Sequence, residues 1–385
     1  MIRQLEEQLI NHFSKYKQAL VLLGARQVGK TTILKRVFPQ ALYLLVDNEG
    51  TKRVLEGYDI NAYKQIIGAS REIIIDELHL LSDPGRAVKI IYDQLPEIRI
   101  IVTGSSALHI KNKSSESMAG RKIEYYLYPL TFSELLVQSK IEHELNFNIF
   151  ENILSSKNSE QVRLFKPQDI LNDVLIYGLY PQLINLPRDQ VYLKELADSS
   201  IFKDIIELNL IDNRTKAKDL LKLLAYQIGN HISYAEIGSR IGLDQRTVQR
   251  YIDIFEDSFI LYRLYTYSTN KRNEIGKMPK IYFYDLGIRN ALINNFDEIK
   301  LRNDSGAMFE NFIITEVKKS IKYLNSNLNI NYWRQTSGSE VDLILSNNSS
   351  LYACEIKFSD GKVSKAFTEK YPEAKAKVVN SVNFY

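Results

Sequence analysis

The stretch Ala19–Leu23 (ALVLL) running into Gly24-Ala25-Arg26-Gln27-Val28-Gly29-Lys30-Thr31-Thr32 decides the fold. A strand-sized apolar run, a loop bounded by two glycines and a Lys-Thr pair opening a helical pattern together read as a phosphate-binding loop. The glycines let backbone N–H groups approach phosphate oxygens, and the helix N-terminus adds a favourable dipole. Lys30 is expected to neutralise the β and γ phosphates and Thr31 to ligate magnesium, so ATP with Mg2+ is the expected ligand. The alternative is a degenerate loop that only packs, to which an amine and a hydroxyl aimed at its centre add nothing.

Further along, Ile73–Ile75 delivers Asp76 and Glu77 at the C-terminal end of an apolar strand, where open α/β sheets bind ligands. This looks like a Walker B segment: Asp76 for the metal, Glu77 to polarise the attacking water. The bland reading is a solvated strand end. Val102-Thr103-Gly104-Ser105-Ser106 ends the next strand, and in the strand order of AAA+ proteins Ser105 or Ser106 would be the γ-phosphate sensor. Arg121 precedes a fifth strand and reads as a trans-acting finger or a phosphate sensor, with a plain surface arginine as the alternative.

Five strand candidates emerge: Ala19–Leu23, Leu42–Val46, Glu72–Ile75, Arg99–Thr103 and Ile123–Leu127. Their near-continuous hydrophobicity implies burial on both faces, so residues 1–138 are expected to form an α/β domain with a parallel sheet. The polar, weakly periodic Gln138–Pro167 reads as a connecting region within a helical connector over 139–200, and a helical segment follows from Gln190 to Asn230. Within 201–298, Ser233 and Glu236 have capping-box spacing, Gly242 closes that helix and Asp244 caps the next. Phe259–Thr266 and Lys280–Tyr284 then read as strands of a wing. Residues 299–385 open with a helix at Met308–Ile321, followed by strands Ile330–Arg334, Glu340–Leu345 and Leu351–Ile356.

These features resemble a broad family of prokaryotic AAA+ superfamily ATPases whose core is joined to an uncharacterised C-terminal region. That region is similar to a winged helix followed by a restriction-endonuclease-like fold. The resemblance is carried by Gly24–Thr32, Asp76–His79, Thr103–Ala107, Ser117–Arg121, Pro129–Glu134, Gly178–Pro181, Lys280–Arg289 and Glu340–Asp342. Two positions depart from it: His79, where the family usually has Gln, and Leu179, where it usually has a second Gly.

On the proposed recognition helix, Arg246, Thr247, Gln249 and Arg250 lie opposite or beside the apolar stripe, where they would meet a major groove, and Lys271, Arg272, Lys277 and Lys280 add charge. A merely solvated basic face is the competing reading. The order Glu310, Asp342, Glu355, Lys357 resembles the PD-(D/E)xK nuclease core. Alternation puts Glu355 and Lys357 on one strand face, so two carboxylates would hold a metal while the lysine assists a water. The alternative is a retained fold in which these groups make structural ion pairs.

A net charge of +4 over 385 residues does not identify a nucleic-acid binder by itself. One cysteine, Cys354, excludes a disulfide framework and a cysteine-rich zinc site and fits a reducing compartment. The chain opens without the apolar core of a signal peptide, and no apolar run reaches bilayer length, so the cytoplasm is the expected address. The leading expectation is an ATP-hydrolysing AAA+ protein whose nucleotide state controls a DNA-directed module. Competing readings are an ATP-gated DNA-binding regulator with little catalysis and a metal-dependent nuclease licensed by ATP. Duplex DNA and self-association through the AAA+ domain are the candidate macromolecular contacts.

Overall fold

The computed structural model describes residues 1–104, 118–155, 166–207, 211–269, 278–335, 338–359 and 361–385, with only the backbone described at 199–207. Ser105, Ser106, Ser117, Lys271, Arg272 and Lys277 lie outside the described residues. The chain forms two compact units, one built on Met1–Pro129 and the other on Leu130–Ile201, Ile211–Glu256 and Ile260–Tyr385.

The first unit is organised by a five-stranded sheet in the order β2-β3-β4-β1-β5. Its strands are β1 Ala19–Leu23, β2 Leu42–Leu45, β3 Glu72–Asp76, β4 Arg99–Gly104 and β5 Lys122–Tyr126. Every pairing is parallel. β1 is buried along its whole length, as its unbroken apolar sequence requires. Local signals start the helices: Asn48, Asp59 and Asp83 each accept backbone N–H bonds as caps, and Pro84 follows Asp83 at a position that needs no N–H donor. Because β4 lies between β1 and β3, the C-terminal ends of these three neighbouring strands emerge side by side, about 10 Å across two strand spacings. That edge carries the loop after Leu23, Asp76 and Thr103.

In the second unit the helices Arg214–Tyr226, Tyr234–Ile241 and Gln245–Asp257 lead into an antiparallel pair, β6 Leu261–Leu264 and β7 Lys280–Phe283. His231 makes an isolated bridge to Lys280. Gly242 adopts the left-handed conformation that ends the helix before it. The C-terminal sheet runs β11-β10-β9-β8, from β8 Asn329–Arg334, β9 Glu340–Ser346, β10 Leu351–Ile356 and β11 Lys375–Val379. β8, β9 and β10 are antiparallel neighbours, while β10 and β11 are parallel and joined through the helix Lys365–Lys370. Trp333, Val341, Ile344, Ala353, Phe367 and Tyr371 form the core between that helix and the sheet.

Candidate nucleotide-binding site

The loop after β1 is shaped by its two glycines. A Cβ on Gly24 would come within 2.1 Å of the Leu127 carbonyl oxygen, so only glycine lets the loop leave the sheet beside the end of β5. Gly29 has φ +94°, a conformation an L side chain rarely adopts, and it caps the helix Lys30–Val37 without a side-chain hydrogen bond. Gln27 also takes a left-handed φ of 61°. Ala25 and Val28 are buried anchors, Arg26 is half-buried, and Gln27 and Thr32 are exposed. Lys30 is buried, and its Nζ donates to the carbonyls of Gly24 and Ala25, each at 2.9 Å. Its ammonium is thus held over the loop by weak neutral acceptors that a phosphate oxygen would outcompete.

Three hydroxyls converge on Asp76. Thr31 Oγ1 donates to its Oδ2 at 2.7 Å, the phenol of Tyr43 on β2 donates to the same oxygen, and Thr103 Oγ1 on β4 donates to Oδ1. Burial pushes the Asp76 pKa up, but these bonds and the charge of Lys30 outweigh it and hold the carboxyl below the ordinary carboxylate range. A hydroxyl and an ionised carboxylate in contact are the donor set a hard cation such as Mg2+ takes, so the residues present fit that ion. Glu77 has a left-handed φ of 58°, its backbone N–H donates to Thr103 Oγ1 at 3.0 Å, and its carboxylate lies 3.2 Å from Nδ1 of buried His79.

Arg121 is not brought to this edge. Its carbonyl accepts from Ala19 N, the first residue of β1, and its guanidinium holds Asp93 at 2.8 Å. It therefore sits at the opposite end of the sheet from the loop that leaves Leu23, one strand length of about 15 Å away.

A second acidic group forms in the C-terminal sheet. Asp342 Oδ2 accepts from Ile356 N at 2.8 Å and from Lys357 Nζ at 3.1 Å, and Lys357 Nζ lies 2.7 Å from Glu355 Oε1. Glu355 is 8% exposed, and its Oε2 has no hydrogen-bond donor. Burial, and then the charge of Asp342, push its pKa up to about 7. Burial opposes the charge on Lys357, but its bonds to both carboxylates win and its pKa is raised. Glu310 accepts at its Oε1 from Lys280 Nζ at 3.1 Å and Tyr282 OH at 2.6 Å, both on β7. Lys280 also pairs with Glu340. Among the described residues no three His, Cys, Asp or Glu side chains form a metal-binding group. Glu310 nevertheless lies close enough for the charge of Asp342 to push its pKa up and for its own charge to push up that of Glu355, so it shares their surroundings while Lys280 and Tyr282 on β7 hold its Oε1.

On the helix Gln245–Asp257, Arg246, Gln249 and Arg250 are exposed. Thr247 is half-buried and bonds Asp244 at its own N-terminus, and Arg250 pairs with Asp212.

Residues 16–136 match the AAA domain family, and residues 168–299 and 305–384 match two domains of unknown function, DUF8612 and DUF4143. The first domain is an AAA-type P-loop domain. An uncharacterized protein of Methanocaldococcus jannaschii is 28% identical over 313 residues, covering 75% of this chain but only 65% of that protein's length. One from Mycobacterium tuberculosis is 23% identical over 341 residues, with 88% and 70% covered. Among solved structures, a Walker-type ATPase of Pyrococcus abyssi aligns at 13% identity with a TM-score of 0.47, covering 75% of this chain and 94% of that one. No helix among the described residues is long and apolar enough to cross a membrane.

Sequence reasoning missed Tyr43 and the contact of Thr103 with Asp76, while Ser105 and Ser106, its sensor candidates after β4, lie outside the described residues. The signal for Thr103 was present, since a strand next to both β1 and β3 must end at their shared edge. Nothing in Leu42–Leu45 marks Tyr43 as different from any edge-strand tyrosine.

Proposed function

We propose that this protein binds ATP with magnesium at Gly24–Thr32 and hydrolyses it, and that its nucleotide state controls a DNA-directed module formed by residues 130–385. The observation that carries the reading is the contact of Thr31 with Asp76 beside a buried lysine that donates to the loop carbonyls of Gly24 and Ala25. Magnesium, when bound with ATP, would neutralise charge developing on the transferred phosphoryl group. Thr31 and Asp76 would hold it, with Thr103 and Tyr43 fixing the Asp76 carboxylate. Lys30 exchanges the Gly24 and Ala25 carbonyls for phosphate oxygens. Glu77 orients the attacking water and accepts its proton, after its carboxylate leaves the vicinity of His79. Steady-state turnover of ATP with magnesium, with and without DNA, tests this. Turnover no greater than that of a Lys30→Ala variant would refute hydrolysis, leaving a nucleotide-gated regulator.

The helices Tyr234–Ile241 and Gln245–Asp257 followed by the β6–β7 pair have the order of a winged helix, with Arg246, Gln249 and Arg250 as its outward face and the Thr247 hydroxyl at the helix start. Binding to duplex DNA that weakens steeply with salt supports this part; salt-independent binding counts against it. A second reading, a metal-dependent nuclease, is favoured by the unpartnered Glu355 Oε2 beside Asp342 and Lys357. Cleavage assays with Mg2+ or Mn2+ on wild type, Asp342→Ala and Lys357→Ala decide it, and equal cleavage by all three removes the site.

A further inference from the structure

The first fifteen residues precede the segment that matches the AAA domain. We infer that Arg3, within them, is a positioning residue of the nucleotide site, clamping the phosphate-binding loop into its ligand-ready shape. Its Nη1 donates to the Val28 carbonyl at 2.8 Å, and its Nη2 donates to the Tyr128 carbonyl at 2.6 Å. Val28 lies inside the loop, immediately before Gly29; Tyr128 lies two residues beyond the end of β5. Arg3 is 3% exposed, and its Nη1 is 3.8 Å from where a Cβ on Gly29 would stand.

The post-β5 segment therefore meets the loop at two points. Gly24 packs directly on the Leu127 carbonyl, and Val28 is tied to Tyr128 through the guanidinium. A planar guanidinium presents its two N–H vectors at a fixed spacing, so it sets the distance between the two carbonyls in a way a single flexible ammonium does not. The segment itself is anchored. Leu5 and Leu9 are buried, and Arg36, in the last turn of the helix that starts at Lys30, bonds the Met1 carbonyl and Glu6. The N-terminal segment thus grips that helix at its far end and the loop at its near end.

Phosphate binding by backbone N–H groups needs those groups already converging, because ordering the loop upon binding subtracts from affinity. Arg3 supplies that order from outside the loop and leaves Lys30 and Thr31 free to turn toward the ligand. The inference rests on the loop being an ATP site, and the experiment separates the two claims. ATP affinity is measured by calorimetry on full-length wild type, Lys30→Ala, Arg3→Ala and Arg3→Lys, well below each protein's melting temperature. Arg3→Ala is expected to weaken ATP binding about tenfold, or about 1.4 kcal/mol, and Arg3→Lys about threefold. Methylguanidinium added to Arg3→Ala is expected to recover part of the loss. A purely structural arginine would lower the melting temperature and leave affinity unchanged. Wild-type affinity in every Arg3 variant that folds overturns the inference. Wild type failing to bind ATP while folded overturns the underlying reading instead.

Discussion

Asp76 and Glu355 are both buried carboxylates at strand ends, yet the protein treats them in opposite ways. Asp76 is surrounded by three hydroxyl donors and a lysine, and its proton is lost well before neutrality. Glu355 has one cation shared with a like-charged neighbour, an oxygen with no donor, and a pKa of about 7. The first carboxylate is satisfied by its own fold and is already ionised before a ligand arrives. The second holds an unmet demand for positive charge, which the fold sustains at the expense of stability. Preorganisation and destabilisation are separate marks of a functional site, and this chain displays one in each unit.

The widest separation between the two sites should come from Glu77→Gln. If Glu77 takes the proton of the attacking water, kcat for ATP falls by about 10³-fold while ATP affinity stays within about twofold. Single-turnover hydrolysis with parallel calorimetry measures both, and equal loss of the two would make Glu77 a binding or folding residue. Lys30→Ala acts on the other term. Removing a buried ammonium aimed at phosphate is expected to weaken ATP binding by about 10²-fold, roughly 3 kcal/mol. Undiminished affinity would return the loop to a packing role.

These two effects were legible in the sequence because they depend on local order: strand, glycine loop, Lys-Thr, then an apolar strand ending in Asp-Glu. The parallel sheet was equally plain, since strands buried on both faces have no polar alternation to confuse them, and the structure shifts their ends by a single residue. What depended on which strands become neighbours was harder. Thr103 and Tyr43 reach Asp76 only because β4 and β2 flank β3. The helix Asn148–Leu154 falls in a stretch read as a polar connector, since seven residues give too few turns to display a period. β11 is hard to read because Lys375-Ala-Lys-Val-Val379 is an edge strand carrying two lysines, of which Lys375 is exposed, a composition that discourages further pairing. The order of Glu310 along the chain leaves its hydrogen-bond partners on β7 illegible, because tertiary packing sets them.

Glu355→Gln probes the destabilised site through pH. Glu355 ionises near 4.5 in an unfolded chain and near 7 in the folded protein, so between those values the folded state holds the extra proton. Stability contributed by this group is therefore lost as pH rises through that window, and above about 7 the full penalty is present. Glu355→Gln carries no such penalty. It should melt higher than wild type at pH 8, by roughly 1–3 kcal/mol in stability, and match it near pH 4. Adding Mn2+ at pH 8 should raise the melting temperature of wild type but not of the variant. A variant less stable than wild type at pH 8 would mean that Glu355 is an ordinary ion-pair partner of Lys357, and the contrast with Asp76 would collapse.

The smallest effect is expected from Tyr43→Phe, which removes one of the three hydroxyls on Asp76 and leaves the ring under Lys35, whose Nζ lies 3.8 Å from the ring centre. A hydrogen bond to a charged acceptor contributes about 1.5–3 kcal/mol, reduced toward about 1 kcal/mol here because the phenol is half-exposed and Thr31 and Thr103 remain. The sign follows from the depressed pKa of Asp76. The bond stabilises the ionised form, so its contribution is present above the unfolded carboxyl pKa and disappears as pH falls through the folded one. Tyr43→Phe should therefore lower the melting temperature at pH 7 and converge on wild type in acid, once the folded Asp76 carboxyl is protonated. Its ATP affinity in excess magnesium should be nearly unchanged, whereas the magnesium concentration for half-maximal nucleotide binding should rise about threefold, because a less firmly held Asp76 has more freedom to lose when the ion binds. An unchanged magnesium dependence would show that Thr31 and Thr103 alone fix the carboxylate. The satisfied site would then rest on two donors, and its difference from Glu355 would be one of solvation more than of orientation.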